Sequence, residues 1–500
     1  MAEALEESSI LPDFLRRRAE RSPGALALRA EGRDVTYRQL DELAAKAAGG
    51  LRAAGIGPGD RVAALMPGGL DFAVLLHAAL RLGAALVPLN TRLTPAELRA
   101  QLLDARPKFF VVGAPQSETG LGLAQELGLA RWLLPQAPDE RHPFYAGAPV
   151  EPTPVRPDAV AAIVYTSGTT GPAKGAMLTR RNFFYAAVTS AMGLGALPED
   201  RWLLCMPLFH VGGLSILLRS ALFGGAVLAQ DGFDVAAVRH GLHEEGATCV
   251  SLVPVILERL MQAGVTPPKS LRFLLLGGAP APRDLLERAL AAGWPLASTY
   301  GLTETASQAA TLPPAEAEEH VGSAGRPLFL TEIRIEGQGL VLPAGEPGEI
   351  LVRGPTVIPG YLHRPDETSE RFKDGFLRTG DIGYLDPEGY LYVLDRRKDL
   401  IVSGGENVYP AEVEAALRRH PGVQDAAVYP APDEVWGQVP AAAVVPKDGT
   451  PPSPEDLRAF LRRELAGYKI PREIRFVSEL PRNAGGKLVR AALRPEVPSE

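Results

Sequence analysis

Residues 163–179 read IVYTSGTTGPAKGAMLT, an apolar strand-like run that enters a loop of glycine, serine and threonine closed by Lys174. Glycines let several backbone N–H groups turn into one concavity, hydroxyls add donors, and the lysine adds positive charge. Together these suit a polyphosphate. The loop is not a Walker A sequence, which needs Gly-Lys-Ser/Thr, because Gly175 follows Lys174. The same composition also makes an ordinary flexible turn.

Outward from this loop, residues 35 to about 310 alternate amphipathic segments such as YRQLDELAAKAAGGLRAAG with short apolar runs such as DRVAALMP, AALVPL and LRFLLLGG. That alternation predicts α/β layers on largely parallel strands. From about 320 to 395 the texture changes to short strands and turns (EIRIEG, GEILVRG, GYLYVLDR), which predict a small β subdomain. RRKDLIVSGG reads as a junction, and PAEVEAALRRHPGVQDAAVYPA opens an α+β unit. The expected fold is α/β, with a large domain over 1–396 and a smaller, mobile α+β domain over 397–500.

Composition narrows the function. A chain of 500 residues holds two or three domains, and its net charge of −7 with no long basic run argues against a nucleic-acid partner. The start, MAEALEESSI, is acidic where a secretory signal is basic, and the longest apolar stretch, 210–229, carries Arg219 at its middle. A cytoplasmic protein without stable membrane insertion is expected. Two cysteines, Cys205 and Cys249, offer no CxxC pattern, and the eight histidines form no HExxH. Lysine is scarce, 9 against 43 arginines, so each lysine is a candidate for work that needs a compact ammonium on a flexible stem.

Two more clusters carry chemistry. LASTYGLTETASQ, residues 296–308, places Tyr300, Thr303 and Glu304 just after a strand-like run: an aromatic for a base, a donor for a phosphoryl oxygen, and a carboxylate for Mg²⁺. TGDIGYLD contributes Asp381, a carboxylate suited to a ribose diol, and LDRRKDLIVSGGENVYPAE contributes Arg396. A capped turn and a surface Arg–Asp pair are the plainer alternatives.

These clusters, in this order, resemble the adenylate-forming enzymes, and over nearly the whole chain their acyl- and aryl-CoA synthetase branch. The resemblance implies ATP, CoA and Mg²⁺, with a small-molecule carboxylic acid as substrate; a homo-oligomer is left open. It implies that Thr166, Ser167, Gly168, Thr169, Thr170, Gly171 and Lys174 hold the pyrophosphate moiety. Gly278, Ala279 and Pro280 of the GGAP stretch and Thr299, Tyr300, Gly301 and Leu302 would border the nucleotide. Thr303 would meet the α-phosphate, Glu304 the metal, and Asp381 the ribose, with Arg396 beside it. LPRNAGGKL matches the segment that carries the catalytic lysine, here Lys487. Lys398 falls at the hinge, and Ser403, Gly404 and Gly405 on the CoA path. Pro172 stands one place earlier than is usual after the loop, and Gly485 replaces the usual Ser/Thr before Gly-Lys.

Four stretches, MPLFHVGGLSILLRS, LLGGAPAPRDLLERAL, YGLTETASQAATL and DEVWGQVPAAAVV, resemble a subfamily whose acid carries two carboxylates, one to be activated and one that stays a spectator. A buried guanidinium needs an anion or solvent. Arg219 is therefore a candidate counter-charge for the spectator carboxylate, with His210, Ser307 and Gln308 as further donors. Dipole complementation at a helix end is the plainer account of Arg219. A fatty or other aryl acyl-CoA synthetase, a peptide-synthetase adenylation module and a non-catalytic nucleotide-binding regulator are the rival functions.

Overall fold

The structure, a computed structural model, describes residues 11–136, 139, 141–166, 173–396, 401–403, 406–408, 410–433, 436–447, 451–463, 465, 467–483 and 488–493. The chain forms two compact units. The first comprises Met1–Gly278, Leu285–Glu332 and Val352–Leu377; the second comprises Ala279–Asp284, Ile333–Leu351 and Arg378–Glu500. The expected boundary at 396/397 falls inside the second unit, which gathers the small β subdomain with the C-terminal residues.

The first unit is built on two sheets. One has the order Ala130–Leu134, Phe109–Gly113, Arg61–Leu65, Ala85–Pro88, Val160–Thr166, Lys174–Thr179, parallel except for its last pair. The other runs Arg326–Pro327, Ala310–Thr311, Leu296–Tyr300, Phe273–Leu276, Cys249–Leu252, Arg201–Leu204, Ala226–Ala229, Leu26–Ala30, Arg33–Thr36, with a parallel centre and antiparallel edges. Successive strand residues face opposite sides. Val62 and Ala64 accordingly join the large core that also holds Leu28, Val227 and Phe273 of the second sheet, while Ala63 and Leu65 face Leu98, Leu102 and Leu123 on the other side.

Between the sheets lie the helices Tyr37–Ala53, Leu70–Leu82 and Val211–Phe223, whose residues fill that shared core. Tyr37–Ala53 begins with a capping box, Thr36 and Gln39 satisfying each other's backbone N–H groups. Leu70–Leu82 and Val211–Phe223 both end on a left-handed glycine, Gly83 and Gly224. Being apolar nearly all round, both helices are buried on most faces, and they carry three buried basic side chains, His77, Arg81 and Arg219. The α/β alternation read from residue 35 starts one hairpin earlier, at Leu26–Ala30 and Arg33–Thr36.

The second unit holds most of a small sheet, in the order Leu340–Val341, Glu332–Gly337, Gly348–Arg353, Phe376–Leu385, Phe372–Lys373, with Leu391–Arg396 pairing on Phe376–Leu385. It also holds an α+β layer in which Val423–Asp433 and Gly437–Pro446 form a long antiparallel pair. The helices Pro410–Arg418 and Pro454–Leu461 cover that pair through Val413, Leu417, Leu457 and Leu461. Among the described residues no helix is long and apolar enough to cross a membrane.

Candidate active site

The glycine-rich loop is entered and left by one antiparallel hairpin, in which Thr166 stands opposite Lys174 and Tyr165 opposite Gly175. The Thr166 hydroxyl donates to the Lys174 carbonyl at 3.4 Å, so both ends of the loop are pinned to each other. A Cβ on Gly175 would stand 2.8 Å from Ile163 Cγ2, which is why glycine follows the lysine. Ser167, Gly168, Thr169, Thr170 and Gly171 lie outside the described residues. The Lys174 ammonium makes an ion pair with Glu367 and stands 5.8 Å from the centre of the Tyr361 ring.

The strands Phe273–Leu276 and Leu296–Tyr300 end at the same sheet edge, Leu276 opposite Ser298. Ligands of parallel sheets collect at such carboxyl edges. Gly277 packs on Thr299, leaving only 2.7 Å between a notional Cβ and Thr299 Cγ2, and Gly278, at φ +78°, turns the chain off the sheet. Ala279 and Pro280 are exposed and belong to the second unit. Thr299 donates its hydroxyl to the Ala310 carbonyl at 2.7 Å, and Tyr300 is buried.

After Gly301 and Leu302 the chain makes a tight turn, Thr303–Thr305, and folds back so that the Ala309 N–H reaches the Tyr300 carbonyl at 2.8 Å. The Ser307 carbonyl occupies the space a Cβ on Gly301 would need, so that glycine is obligatory. Ala306 and Ser307 are held at φ 52° and 103°, a left-handed pair that costs about 1–3 kcal/mol per residue and collects at functional sites. Just before this pair the Glu304 carboxylate, only 7 % exposed, lies against the Tyr361 hydroxyl, which donates to its Oε1 at 2.6 Å.

Tyr361 belongs to a segment that joins the two clusters. The Ile358 N–H donates to the Glu304 carbonyl at 3.0 Å, the Met177 N–H to the Gly360 carbonyl at 3.1 Å, and the Leu362 N–H to the Gly175 carbonyl at 2.8 Å. The lysine-bearing strand and the glutamate-bearing turn are thus tied through a third stretch of chain. Burial, and then the neighbouring Glu304 charge, push the Tyr361 phenol well above its usual pKa, so it stays a donor. Sequence reading did not single out Tyr361 or Glu367. The available signal was the run GYLHRPDET, where an aromatic and an acid flank the start of the helix Pro365–Arg371.

The candidate acid-binding residues divide. His210, exposed, precedes the helix Val211–Phe223; the protein around it, and then Arg92, hold its imidazole below the usual pKa. Ser307 is half-buried beside the Glu304 turn. Gln308 is buried, donating to Thr311 Oγ1 at 3.0 Å, while its Oε1 has no hydrogen-bond partner among the described residues. Arg219, nine positions after His210 and so about 13 Å further along the helix axis, is 5 % exposed. Its guanidinium donates to Ser190 Oγ at 3.2 Å and to the Ser215 carbonyl at 3.3 Å, and lies 4.6 Å from the Trp202 ring centre. Among the described residues it makes no ion pair with a carboxylate, and burial pulls its pKa down to about 10.

In the second unit Asp381 is buried on Phe376–Leu385 and stands opposite Arg396 of the neighbouring strand, so the structure brings these two predicted residues together. The Asp381 N–H donates to Thr379 Oγ1 at 3.1 Å. Ser403 is buried at the end of Ile401–Ser403. Lys398, Gly404, Gly405, Lys487 and the Arg396 side chain lie outside the described residues.

The chain belongs to the AMP-binding enzymes: residues 15–362 match the AMP-binding enzyme family, and residues 412–487 match the AMP-binding enzyme C-terminal domain. Within that class it is 42 % identical to a 2-succinylbenzoate–CoA ligase of Bacillus licheniformis, over 96 % of this chain and 99 % of the relative. It is 39 % identical, with a TM-score of 0.91 and coverage of 98 % and 99 %, to the o-succinylbenzoate CoA synthetase of Bacillus subtilis solved with its acyl-adenylate intermediate. ATP-bound MatB of Rhodopseudomonas palustris is also similar, at 31 % identity, a TM-score of 0.90 and coverage of 96 % and 98 %.

Proposed function

We propose that this protein joins 2-succinylbenzoate to CoA with the consumption of ATP, giving 2-succinylbenzoyl-CoA, AMP and diphosphate, the ligase step of menaquinone biosynthesis. Likeness over the full length, at 39 % identity, to an enzyme solved with its acyl-adenylate is the observation that carries this reading. A substrate carboxylate attacks the α-phosphorus, diphosphate leaves, and the CoA thiol then displaces AMP from the adenylate. Attack of one anion on another needs positive charge and donors where charge develops. Lys174, Thr303 and Lys487 are the residues assigned to that task, Asp381 to the ribose, and Ser403, Gly404 and Gly405 to the path of the thiol, with Lys398 as the hinge between half-reactions.

The metal assignment can be tested against the donor set. Among the described residues no group of three His, Cys, Asp or Glu is placed to hold a metal. Mg²⁺ does not require one, since it is commonly held by one or two carboxylates together with substrate phosphates and water. Glu304, with one oxygen steadied by Tyr361, fits that mode. Bound there, Mg²⁺ draws negative charge away from the phosphates.

Arg219 is proposed as the fixed positive charge facing the spectator carboxylate. A buried guanidinium anchored by two serines and an indole, with no carboxylate paired to it among the described residues, supports this. The test is a panel of acids, 2-succinylbenzoate, benzoylpropionate and fatty acids, each supplied with ATP, Mg²⁺ and CoA. Preference for the dicarboxylic acid supports the reading, and preference for a fatty acid replaces it.

A further inference from the structure

Lys174 is claimed by a carboxylate that the reading of the loop did not include. Its ammonium is ion-paired to Glu367 Oε2, and Glu367 Oε1 lies 3.6 Å from Arg364 Nε. Arg364 in turn reaches Asp104 at 3.1 Å, and Asp104 accepts from the Tyr165 hydroxyl at 2.8 Å. The result is a line of alternating charges, Lys174, Glu367, Arg364, Asp104, that ends on Tyr165. Lys174 and Tyr165 flank the glycine-rich loop on its two strands. Both ends of the loop are therefore attached to the start of one helix, Pro365–Arg371, and its preceding residue.

We propose that Glu367 is the resident counter-ion of Lys174, a positioning residue that competes with the phosphates of ATP and diphosphate for the ammonium and thereby sets how easily diphosphate leaves. This rests on the proposed role of Lys174 in holding the diphosphate moiety. Two features favour competition over a passive surface pair. First, Glu367 and Lys174 are each about two-thirds buried, with side-chain exposures of 34 % and 32 %, so the pair is shielded from full solvent screening. Second, Glu367 has an alternative cation in Arg364, so it is not left uncompensated when Lys174 turns to a phosphate. A carboxylate fixed within reach of a phosphate-binding ammonium repels the polyanion as well as occupying its partner. Lys174 thus has two stations, Glu367 and phosphate, and removing the first favours the second.

The experiment is calorimetric binding of magnesium diphosphate and of MgATP to the full chain, as wild type, Glu367→Gln, Glu367→Asp, Lys174→Ala and the double variant Lys174→Ala/Glu367→Gln. Glu367→Gln is expected to tighten diphosphate about 3- to 10-fold and to strengthen product inhibition by diphosphate to the same degree, a range fitting a partly exposed charge. Glu367→Asp, which keeps the charge, should stay near wild type, and in the Lys174→Ala background the Glu367→Gln effect should vanish. If Lys174→Ala weakens diphosphate binding while Glu367→Gln leaves it unchanged or weaker, the counter-ion role is overturned. If Lys174→Ala itself changes nothing, the loop assignment fails, and the inference fails with it. Equal melting temperatures for wild type and Glu367→Gln ensure that the comparison concerns binding and not folding.

Discussion

The Tyr361 hydroxyl donates to Glu304 Oε1 at 2.6 Å, across 57 positions of sequence. A phenol held protonated by burial is thus the donor that orients the acidic side chain assigned to the metal. Tyr361→Phe removes that donor without opening a large cavity. A hydrogen bond to a charged group contributes about 1.5–3 kcal/mol. The expected result is a kcat/KM for MgATP lower by about 10- to 100-fold, a raised Mg²⁺ requirement and an unchanged KM for CoA. Titrating Mg²⁺ in a diphosphate-exchange assay checks this, and an unaltered Mg²⁺ dependence would refute the orienting role.

Lys487 is expected to serve adenylation alone. In Lys487→Ala the formation of adenylate should drop by several orders of magnitude, the scale seen when a key charge at a transition state is lost. Thioester formation from supplied acyl-adenylate should largely survive. Single-turnover assays of each half-reaction separate the two, and an equal loss in both contradicts the assignment.

Arg219→Leu is expected to lower kcat/KM for 2-succinylbenzoate by about 2–4 kcal/mol while leaving the KM for ATP little changed. Benzoylpropionate lacks the ring carboxylate and should lose far less. Equal losses on both acids would make Arg219 a framework residue that links Ser190, Ser215 and Trp202.

His77 gives a pH signature independent of catalysis. It is fully buried, and burial lowers its pKa from 6.5 to about 4, with Asp13 opposing and Arg81 reinforcing the shift. Between those values the unfolded chain binds a proton that the folded one does not. Stability is therefore intact above pH 6.5 and declines as pH falls toward 4, by about 1.4 kcal/mol per pH unit. Asp41 and Asp71, whose pKa values burial raises, contribute with the opposite sign. Urea unfolding of wild type against His77→Leu at pH 7.5, 6 and 5 isolates the histidine. The difference between the two proteins should shift toward the variant on acidification, and a constant difference would show that His77 does not titrate in this way.

Local sequence was informative wherever the chemistry is local. The strand that enters the glycine-rich loop and the turn at Thr303–Thr305 rest on residues within a few positions of one another, so composition and pattern expose them, whereas the antiparallel return strand Lys174–Thr179 was not read. Tyr361 and Glu367 were not legible, because what singles them out is pairing with Glu304 and Lys174 far away in the chain. Their own neighbourhood reads only as a turn before a proline-started helix. The opening hairpin escaped for another reason: Glu31 takes the left-handed φ of 54° that a glycine or asparagine would have announced, and only Gly32 gives the turn away. The pairing of Asp381 with Arg396 was within reach of pattern, since both lie on strands separated by one turn.

The tie between residue 304 and residue 361 also sets a schedule for the newborn chain. At a ribosomal pace of about 5–20 residues per second, the 57 positions between them take about 3–11 s to synthesise. During that interval residues 306 and 307 have been made without the Ile358 and Tyr361 bonds to Glu304 that accompany their strained turn in the folded protein. The first compact unit cannot be finished from its N-terminal stretch alone, because Val352–Leu377 arrives only after residues 333–351 of the other unit have been made. A stop codon placed between residues 309 and 357 would release a fragment that encodes both the glycine-rich hairpin and the Glu304 turn but lacks the Ile358, Gly360, Tyr361 and Leu362 bonds that join them.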